Sequence, residues 1–375
     1  MRKADICIIG YPHSVDDKRV FRTVNTLSSK YRVIYVFASH ADKNEKEKEK
    51  ELKRKYDDVE FVPIPYSSSN GLMRRRNERR ILDICVESNA RIWYFHHPPM
   101  TMPFKIFKTG KKEGNMIVCD IHEYYPHASM EYLPSFAIKL KRKIMSHLFK
   151  EQLKLVDGLI FISETMGRFI LEKYTLDKPY TVLPNVADFS LSILNAKKRE
   201  RRLVLVGKTP RDLQPLYRLE KALKKLDATI SIVVVGIEGG HYNGNVTFLP
   251  FMPYSRMMEY LQHSLFGLMT FRELGPASLD EKFMLPHKFF DTLAAGTPVI
   301  VDAQLIEMVR WVERHGVGIV VDVEHDPSGS ARKIIDTLES EKYTKILETL
   351  RNNTNIFVWE SYKNRLIEFI SAFFR

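Results

Sequence analysis

The chain has 375 residues, of which 44% are hydrophobic and 28% are charged, a composition typical of folded globular proteins rather than disordered chains. Its apolar runs fall far short of the ~20 residues that a membrane-spanning helix needs, and its three scattered cysteines form neither a disulfide framework nor a metal-binding spacing. The net charge of +12 indicates a partner that carries negative charge, such as nucleic acid, an anionic membrane or a phosphate-rich small molecule.

The first half of the chain alternates short apolar runs with helical patterns. The apolar runs predict strands at 6–9, 32–37, 59–63, 92–95, 116–119 and 159–162, and a helix at 17–29 follows the first of them. This alternation predicts a parallel sheet with helices on both faces. The segment at 43–55 is nearly all Lys and Glu, which predicts an exposed helix or a mobile loop.

Basic residues concentrate in two segments of this half. One contains the arginines between residues 74 and 80, and the other spans residues 135–150, where basic and apolar side chains interleave. The second segment predicts a basic helix with an apolar side, which suits peripheral contact with an anionic membrane. The alternative is an ordinary solvated helix face beside a core face.

The strand–helix pattern restarts after a polar, basic stretch at 196–202. The second half predicts helices at 213–226, 256–262 and 286–295 among strands at 203–206, 230–235, 246–249, 265–271, 299–301 and 318–321. The restart predicts an α/β protein of two Rossmann-like domains joined near residues 190–202, although no sequence repeat relates the halves.

A loop suited to an anion joins the strand at 203–206 to the helix at 213–226. Gly207 lets the backbone approach a ligand closely, while Lys208 and Arg211 add full positive charges beside the free N–H groups of a helix start. Asp212 is positioned to cap that helix. The loop predicts a diphosphate cradle, but joins of this kind are common and the Walker motif is absent from the sequence.

The segment at 285–298 predicts a helix that begins at Pro286 and ends near Gly296. Lys288 falls in its first turn, where a lysine opposes the helix dipole by ~0.3–1 kcal/mol and a bound anion would reverse that penalty. Asp291, one turn later, could accept hydrogen bonds from ribose hydroxyls. The alternative is a surface ion pair between Lys288 and Asp291.

A third polar group follows the strand predicted at 116–119. Asp120, His122 and Glu123 lie together at its carboxyl end, where such a cluster can orient a hydroxyl or move a proton. The spacing does not match a zinc site, and the alternative is a structural, hydrogen-bonding histidine.

These segments, in this order, resemble the GT-B glycosyltransferases, specifically the large retaining family four, the group 1 sugar-nucleotide transferases. The segment at 285–300 is the most specific match. Further matching segments lie at 17–22, 120–123, 160–164, 182–188 and 207–211, with Trp359 ahead of the last helix.

The resemblance implies two Rossmann-like domains that face one another across a cleft. Residues 1–190 would bind the acceptor, residues 200–355 would bind the nucleotide sugar, and residues 356–375 would form a helix that returns to the first domain. The implied activity is metal-independent, retaining transfer of a sugar from a nucleotide-diphosphate sugar to a saccharide or lipid-linked hydroxyl, without a cofactor and without nucleic acid as a partner.

The resemblance also implies roles for individual residues. His122, with Asp120 or Glu123, would orient the acceptor hydroxyl, and Gly10 and His13 would lie in the loop that faces the cleft. The donor site would consist of Gly207, Lys208, Arg211, His287, Lys288 and Asp291.

The chain departs from the family pattern at several of these positions. Asp291 replaces a glutamate, Phe283 stands where a second acid is usual, and His287 replaces an asparagine. A sugar-nucleotide epimerase of the same fold and a catalytically degenerate binding protein are therefore the alternative functions. The expected location is the cytoplasm, including the inner face of the cell membrane.

Overall fold

The computed structural model describes residues 3–40, 43–66, 70–127, 135–207, 212–237, 244–269 and 280–375, without the side chains of residues 43, 44, 135, 136, 280 and 281. These residues fall into two compact units. Unit 1 contains the described residues up to 183 together with Tyr362–Arg375, and unit 2 lies within Pro184–Ser361.

Unit 1 is built on a seven-stranded sheet in which every pairing is parallel. Its strands are β1 (Ile6–Ile9), β2 (Val33–Ser39), β3 (Val59–Pro65), β4 (Ile92–Phe95), β5 (Met116–Ile121), β6 (Gly158–Phe161) and β7 (Tyr180–Val182). They lie in the order β3-β2-β1-β4-β5-β6-β7, and Ile6 of β1 is level with Val33 of β2 and Ile92 of β4. Because both faces of this sheet are covered, β1 and β4 are continuous apolar runs with every residue buried.

Among the described residues up to 183, the helices of unit 1 are α1 (Lys18–Ser28), α2 (Lys43–Lys55), α3 (Gly71–Glu87), α4 (Lys105–Lys112), α5 (Ser135–Leu155) and α6 (Glu164–Tyr174). Helix α1 buries Val20, Val24 and Leu27 on one face, as their spacing predicts. The Lys- and Glu-rich segment forms helix α2 rather than a loop, and its Leu52 is buried.

Unit 2 repeats the arrangement with six parallel strands in the order β10-β9-β8-β11-β12-β13. The strands are β8 (Glu200–Val206), β9 (Ser231–Val235), β10 (Val246–Leu249), β11 (Ser264–Met269), β12 (Val299–Asp302) and β13 (Gly318–Val321). The helices are α7 (Gln214–Leu226), α8 (Tyr254–Gln262), α9 (Asp280–Phe283), α10 (His287–Ala294), α11 (Ile306–His315), α12 (Pro327–Glu339) and α13 (Glu341–Asn352).

The last helix, α14 (Lys363–Ser371), belongs to unit 1 although it follows unit 2 in the chain. The ring of Phe374 stacks on Tyr31 with 4.8 Å between centroids. Phe373 packs against Gly158, where an added Cβ would lie 2.4 Å from the phenylalanine Cζ. Aromatic side chains therefore fasten the end of the chain to unit 1.

Both sheets have the strand order of Rossmann folds, in which ligands bind beyond the carboxyl ends of the strands where the order reverses. That point lies between β1 and β4 in unit 1 and between β8 and β11 in unit 2. The predicted α/β class with two Rossmann-like units is confirmed. Within the ranges that the structure describes, no helix combines the length and apolar character needed to cross a bilayer.

Candidate functional site

In unit 1, the loop after β1 is held close to the sheet by Gly10. An added Cβ there would lie 2.7 Å from Tyr35 Cε2 and 2.8 Å from Val20 Cγ1, so the close approach requires glycine. This loop carries His13, whose Nδ1 lies 3.2 Å from Asp17 Oδ2. Asp17 in turn accepts hydrogen bonds from the first N–H groups of α1.

The hydrogen bond with Asp17 fixes one ring nitrogen of His13 as a donor. Because a carboxylate only accepts, Nδ1 donates to Asp17. The other ring nitrogen, Nε2, is buried and has no hydrogen-bond partner among the described residues. Burial by itself would raise the pKa of Asp17, but the hydrogen bond and charge of His13 hold that pKa well below its usual range.

At the end of β5, Asp120 forms a buried ion pair with Arg19. Arg19 Nη2 donates to Asp120 Oδ1 at 2.6 Å, and Arg19 Nε lies 3.1 Å from Oδ2. Tyr94 donates to Oδ2 at 3.1 Å, and the Asp120 side chain is only 1% exposed. Burial alone would raise the pKa of Asp120, but the Arg19 charge outweighs it and keeps this pKa well below the ordinary value. Asp120 therefore remains ionised and does not face solvent.

His96, directly after β4, links this ion pair to His122. His96 Nδ1 lies 3.3 Å from Asp120 Oδ2 and 3.1 Å from His122 Nε2. The hydrogen bond between the two rings is satisfied when His96 Nδ1–H donates to His122 Nε2, and a neutral His122 then carries its own proton on Nδ1. The His122 ring is 15% exposed and lies 5.3 Å from that of His13, centroid to centroid.

Burial keeps the imidazoles of His96 and His122 neutral at physiological pH. It lowers the pKa of His122 to about 3, against the opposing attraction of Asp120. Burial likewise lowers the pKa of His96, and it lowers the pKa of the neighbouring His97 to about 4. A neutral His122 can donate a hydrogen bond to a hydroxyl.

The ligand atoms of His96, Asp120 and His122 all lie within 4.8 Å of one another, close enough to hold a metal ion. The charge of Arg19, already hydrogen-bonded to both oxygens of Asp120, opposes a second cation there. The geometry therefore fits a polar network better than a metal centre.

The remaining polar residues after β5 differ in exposure. Glu123 is exposed, whereas Tyr124 and Tyr125 are buried. Tyr125 donates to the backbone oxygen of His96 at 3.3 Å, and Tyr124 shares a 2.7 Å hydrogen bond with Tyr174. These tyrosines thus support the loop that carries His122.

In unit 2, Gly207 follows β8, and its N–H donates to Val235 O at 3.0 Å. Gly236 lies against it with φ +86°, and an added Cβ at 236 would lie 2.6 Å from Gly207 O. The predicted phosphate contacts Lys208 and Arg211 lie outside the described residues. Asp212 accepts from Gln214 N at 2.9 Å, but Leu213 occupies the N-cap position of α7, so the prediction that Asp212 caps this helix is off by one residue.

Helix α10 begins directly after Pro286, where its N-terminus has no side-chain cap. His287 Nδ1 lies 3.1 Å from Asn185 O, and Asn185 donates to Leu285 O at 3.0 Å. His287 therefore has a structural partner within unit 2. Lys288 is half-buried in the first turn of this helix.

Asp291 is buried rather than exposed, with 5% of its surface accessible. Tyr254 donates to Asp291 Oδ1 at 2.7 Å, and burial together with the Asp291 charge raises the pKa of Tyr254 well above its usual range. Burial on this scale does not fit a surface pair between Lys288 and Asp291. A carboxylate buried to this extent depends on hydrogen-bond donors, and Tyr254 provides one of them.

Phe283, in the position where the resemblance implies an acid, is buried with 6% exposure at the end of α9. Its burial fits an apolar core position. The nearby acids at 273, 280 and 281 have side chains outside the described part of the structure.

Sequence reasoning missed three contributors to the unit 1 cluster: Arg19, Tyr94 and His96. His96 and His97 directly follow the predicted strand at 92–95, which was an available signal. The pairing of Arg19 with Asp120 joins residues 101 positions apart and depends on the strand order.

The comparisons with known proteins agree with the fold. Residues 216–364 match the family described as "Glucosyltransferase 3-like, C-terminal domain". No curated protein matches the chain.

Three similar solved structures cover nearly the whole chain. A glycosyltransferase from Rickettsia africae ESF-5 is 15% identical, with a TM-score of 0.65, over 100% of this chain and 99% of that one. Sucrose-phosphate synthase from Thermosynechococcus elongatus is 12% identical, with a TM-score of 0.67, over 98% of each chain. HepE of Anabaena, in complex with UDP-glucose, is 12% identical, with a TM-score of 0.62, over 98% of this chain and all of that one. The chain shares their GT-B type of fold, with two Rossmann-like units.

Proposed function

We propose that this protein is a glycosyltransferase that moves a sugar from a nucleotide-diphosphate sugar to a hydroxyl acceptor. The observation that carries the proposal is the match of residues 216–364 to a glucosyltransferase domain family. It is supported by the complex of the similar HepE structure with UDP-glucose.

The donor is assigned to unit 2. Lys288 and the N-terminus of α10 neutralise the diphosphate, together with Gly207, Lys208 and Arg211 of the loop after β8. The same charges stabilise the diphosphate as it leaves, when its negative charge grows. Asp291, oriented by Tyr254, accepts hydrogen bonds from the ribose, and His287 fixes the start of the helix through Asn185.

The acceptor is assigned to unit 1. The hydroxyl accepts from His122, whose orientation is set by His96, and the ring of His13 lies 5.3 Å from that of His122, centroid to centroid. Asp120 is too buried to touch the acceptor, so its role is to position His96 and His122. Glu123, which is exposed, provides a further acceptor for saccharide hydroxyls.

Transfer proceeds with retention of configuration, as the resemblance to the retaining transferases implies. It needs no metal, because basic groups take the place of a cation at the diphosphate. Turnover of the purified protein in excess EDTA tests whether transfer needs a metal. Unchanged turnover supports metal-independent transfer, and turnover restored only by a divalent ion refutes it. The anomeric coupling of the product, read by proton NMR, tests retention.

The basic helix predicted at 135–150 corresponds to the first four turns of α5. Leu140 and Ile144, one turn apart, are 60% and 51% exposed, and Lys139 and Lys143 beside them are also exposed. Such a surface fits peripheral docking on an anionic membrane, where a lipid-linked acceptor resides. Vesicles containing phosphatidylglycerol should bind the wild-type chain but not the variant Lys139→Glu/Lys143→Glu. Equal binding of the two proteins would contradict membrane docking through α5.

Release of nucleoside diphosphate from a panel of nucleotide sugars, with saccharide and lipid acceptor fractions, tests the function. The wild-type chain should transfer sugar, and the rate of transfer should fall in the variants His122→Gln and Lys288→Ala. An isomerised nucleotide sugar without transfer would identify an epimerase instead. Binding of a nucleotide sugar without either reaction would identify a catalytically degenerate protein.

A further inference from the structure

Unit 1 contains a pocket that the proposed transfer does not use. Its volume is about 500 Å³, and it lies between the first turns of α3 and the loop that leads into α4. Four of its lining residues are cations: Arg75, Arg76, Arg79 and Lys105. The arginines belong to the basic segment at 74–80, whose charge had no assigned role.

The spacing along α3 directs the charge into this pocket. Leu72, Arg75, Arg76 and Arg79 recur at the intervals that place side chains on one face of a helix. Like charges at these intervals destabilise a helix, and within the described ranges none of the four pocket cations has an ion pair to offset this. An anion in the pocket would relieve the repulsion.

The wall opposite α3 is fixed by buried hydrogen bonds. Glu78, only 4% exposed, accepts from the N–H groups of Met100 at 2.7 Å and Met102 at 2.6 Å, and it also accepts from Thr101. Gln152 holds the preceding residue by donating to Pro99 O at 2.7 Å. Residues 100–102 of the loop are thus each anchored to α3, and these hydrogen bonds fix the wall of the pocket.

Two kinds of hydrogen-bond donor lie on this wall. Thr101 Oγ1 is buried and has no hydrogen-bond partner among the described residues. Helix α4 begins at Lys105, and Phe104 at its start provides no side-chain cap. Free N–H groups at a helix start, a spare hydroxyl and four cations are together the donor set that a phosphate oxygen cluster requires.

Apolar groups adjoin these donors. Leu72 is 82% exposed at the pocket, and Met102, Pro103 and Phe104 complete its lining. Inorganic phosphate cannot bury apolar surface against these side chains. A phosphate ester with an apolar chain can contact both the cationic and the apolar residues of the pocket.

We propose that this pocket binds the phosphoryl group of an amphiphilic phosphate ester. Helix α3 follows β3 and the loop at 96–104 follows β4, so the pocket opens at the same edge of the sheet as His122. We assign this ester to the acceptor substrate, which rests on the proposed function. The acceptor of the sugar would then carry a lipid phosphate.

Calorimetric titration of the full chain with octyl phosphate tests the pocket, with inorganic phosphate in a parallel arm. The variant Arg76→Gln/Arg79→Gln should bind octyl phosphate about tenfold more weakly or worse, as expected when charge-assisted hydrogen bonds are lost. Thr101→Val, which removes only a hydroxyl, should weaken binding in the same direction. Inorganic phosphate should bind more weakly than octyl phosphate, because it gains no apolar contact.

Two controls separate this pocket from other charges. Arg80→Gln removes an exposed arginine of α3 that does not line the pocket, and Lys288→Ala alters the donor site in unit 2. Both should bind octyl phosphate as the wild-type chain does. Equal weakening by Arg80→Gln, full binding by the double variant, or equal affinity for inorganic phosphate would overturn the proposal. Octyl phosphate binding without any sugar transfer would refute the proposed function while leaving the pocket intact.

Discussion

The buried imidazoles of unit 1 should make its stability sensitive to mild acid. His122 has a folded-state pKa of about 3 because it is buried, so between that value and its unfolded value the unfolded chain binds one more proton. Stability is then fully present above the unfolded pKa of ~6.5 and falls by ~1.4 kcal/mol per pH unit on acidification, or ~2 kcal/mol between pH 6.5 and pH 5. His96 and His97 act in the same direction.

The contribution of His122 can be isolated with His122→Gln, whose amide oxygen can still accept from His96. Urea unfolding is followed between pH 5 and 7 by the fluorescence of Trp93, which is buried in β4, with Trp311 and Trp359 replaced by phenylalanine so that only unit 1 reports. In this variant, the free energy of unfolding should fall less steeply with acidification, by the slope assigned to one histidine. Identical slopes for His122→Gln and the wild-type chain would refute the buried, neutral state of His122.

Three further substitutions test the packing around the candidate site. Arg19→Met leaves the Asp120 carboxylate buried without its partner and should destabilise unit 1 by ~3–5 kcal/mol in urea unfolding, with most of the loss recovered in Arg19→Met/Asp120→Leu. Gly10→Ala should lower the free energy of unfolding by ~1–3 kcal/mol, because its Cβ would meet Tyr35. Gly71→Ala, with no atom within 4 Å of the added Cβ, should be neutral or slightly stabilising. Equal effects of the two substitutions would contradict the close approach at Gly10. Tyr254→Phe removes a hydrogen bond to the buried Asp291 and should destabilise unit 2 by ~1–3 kcal/mol, measured through Trp311 and Trp359 with Trp93 replaced; no change would show that the bond does not contribute.

The strands could be predicted from the sequence because parallel strands buried on both faces are continuous apolar runs. The run at 92–95 gave β4 with correct bounds, and that at 6–9 did the same for β1. Strand β7, at Tyr180–Val182, was missed because it is three residues long, half-exposed and contains two polar side chains.

The candidate site was predictable only in part. Local spacing identified Asp120 and His122, but the ion pair with Arg19 depends on the packing of α1 across the sheet. Periodicity assigned Asp291 to the polar face of its helix, yet Tyr254 from another helix covers it. Contacts between segments distant in sequence decide burial, and hydrophobic pattern alone does not contain them.

The central claim, a nucleotide-diphosphate site in unit 2, is tested most directly by thermal unfolding of the full chain with nucleoside diphosphates and nucleotide sugars. One nucleotide should stabilise the wild-type chain by ~3 kcal/mol at about a hundred times its dissociation constant. Asp291→Ala and Lys288→Ala should lose that stabilisation, and Lys333→Ala, at an exposed position of α12, should keep it. Stabilisation that survives in the Asp291 and Lys288 variants, or none with any nucleotide, would contradict the account.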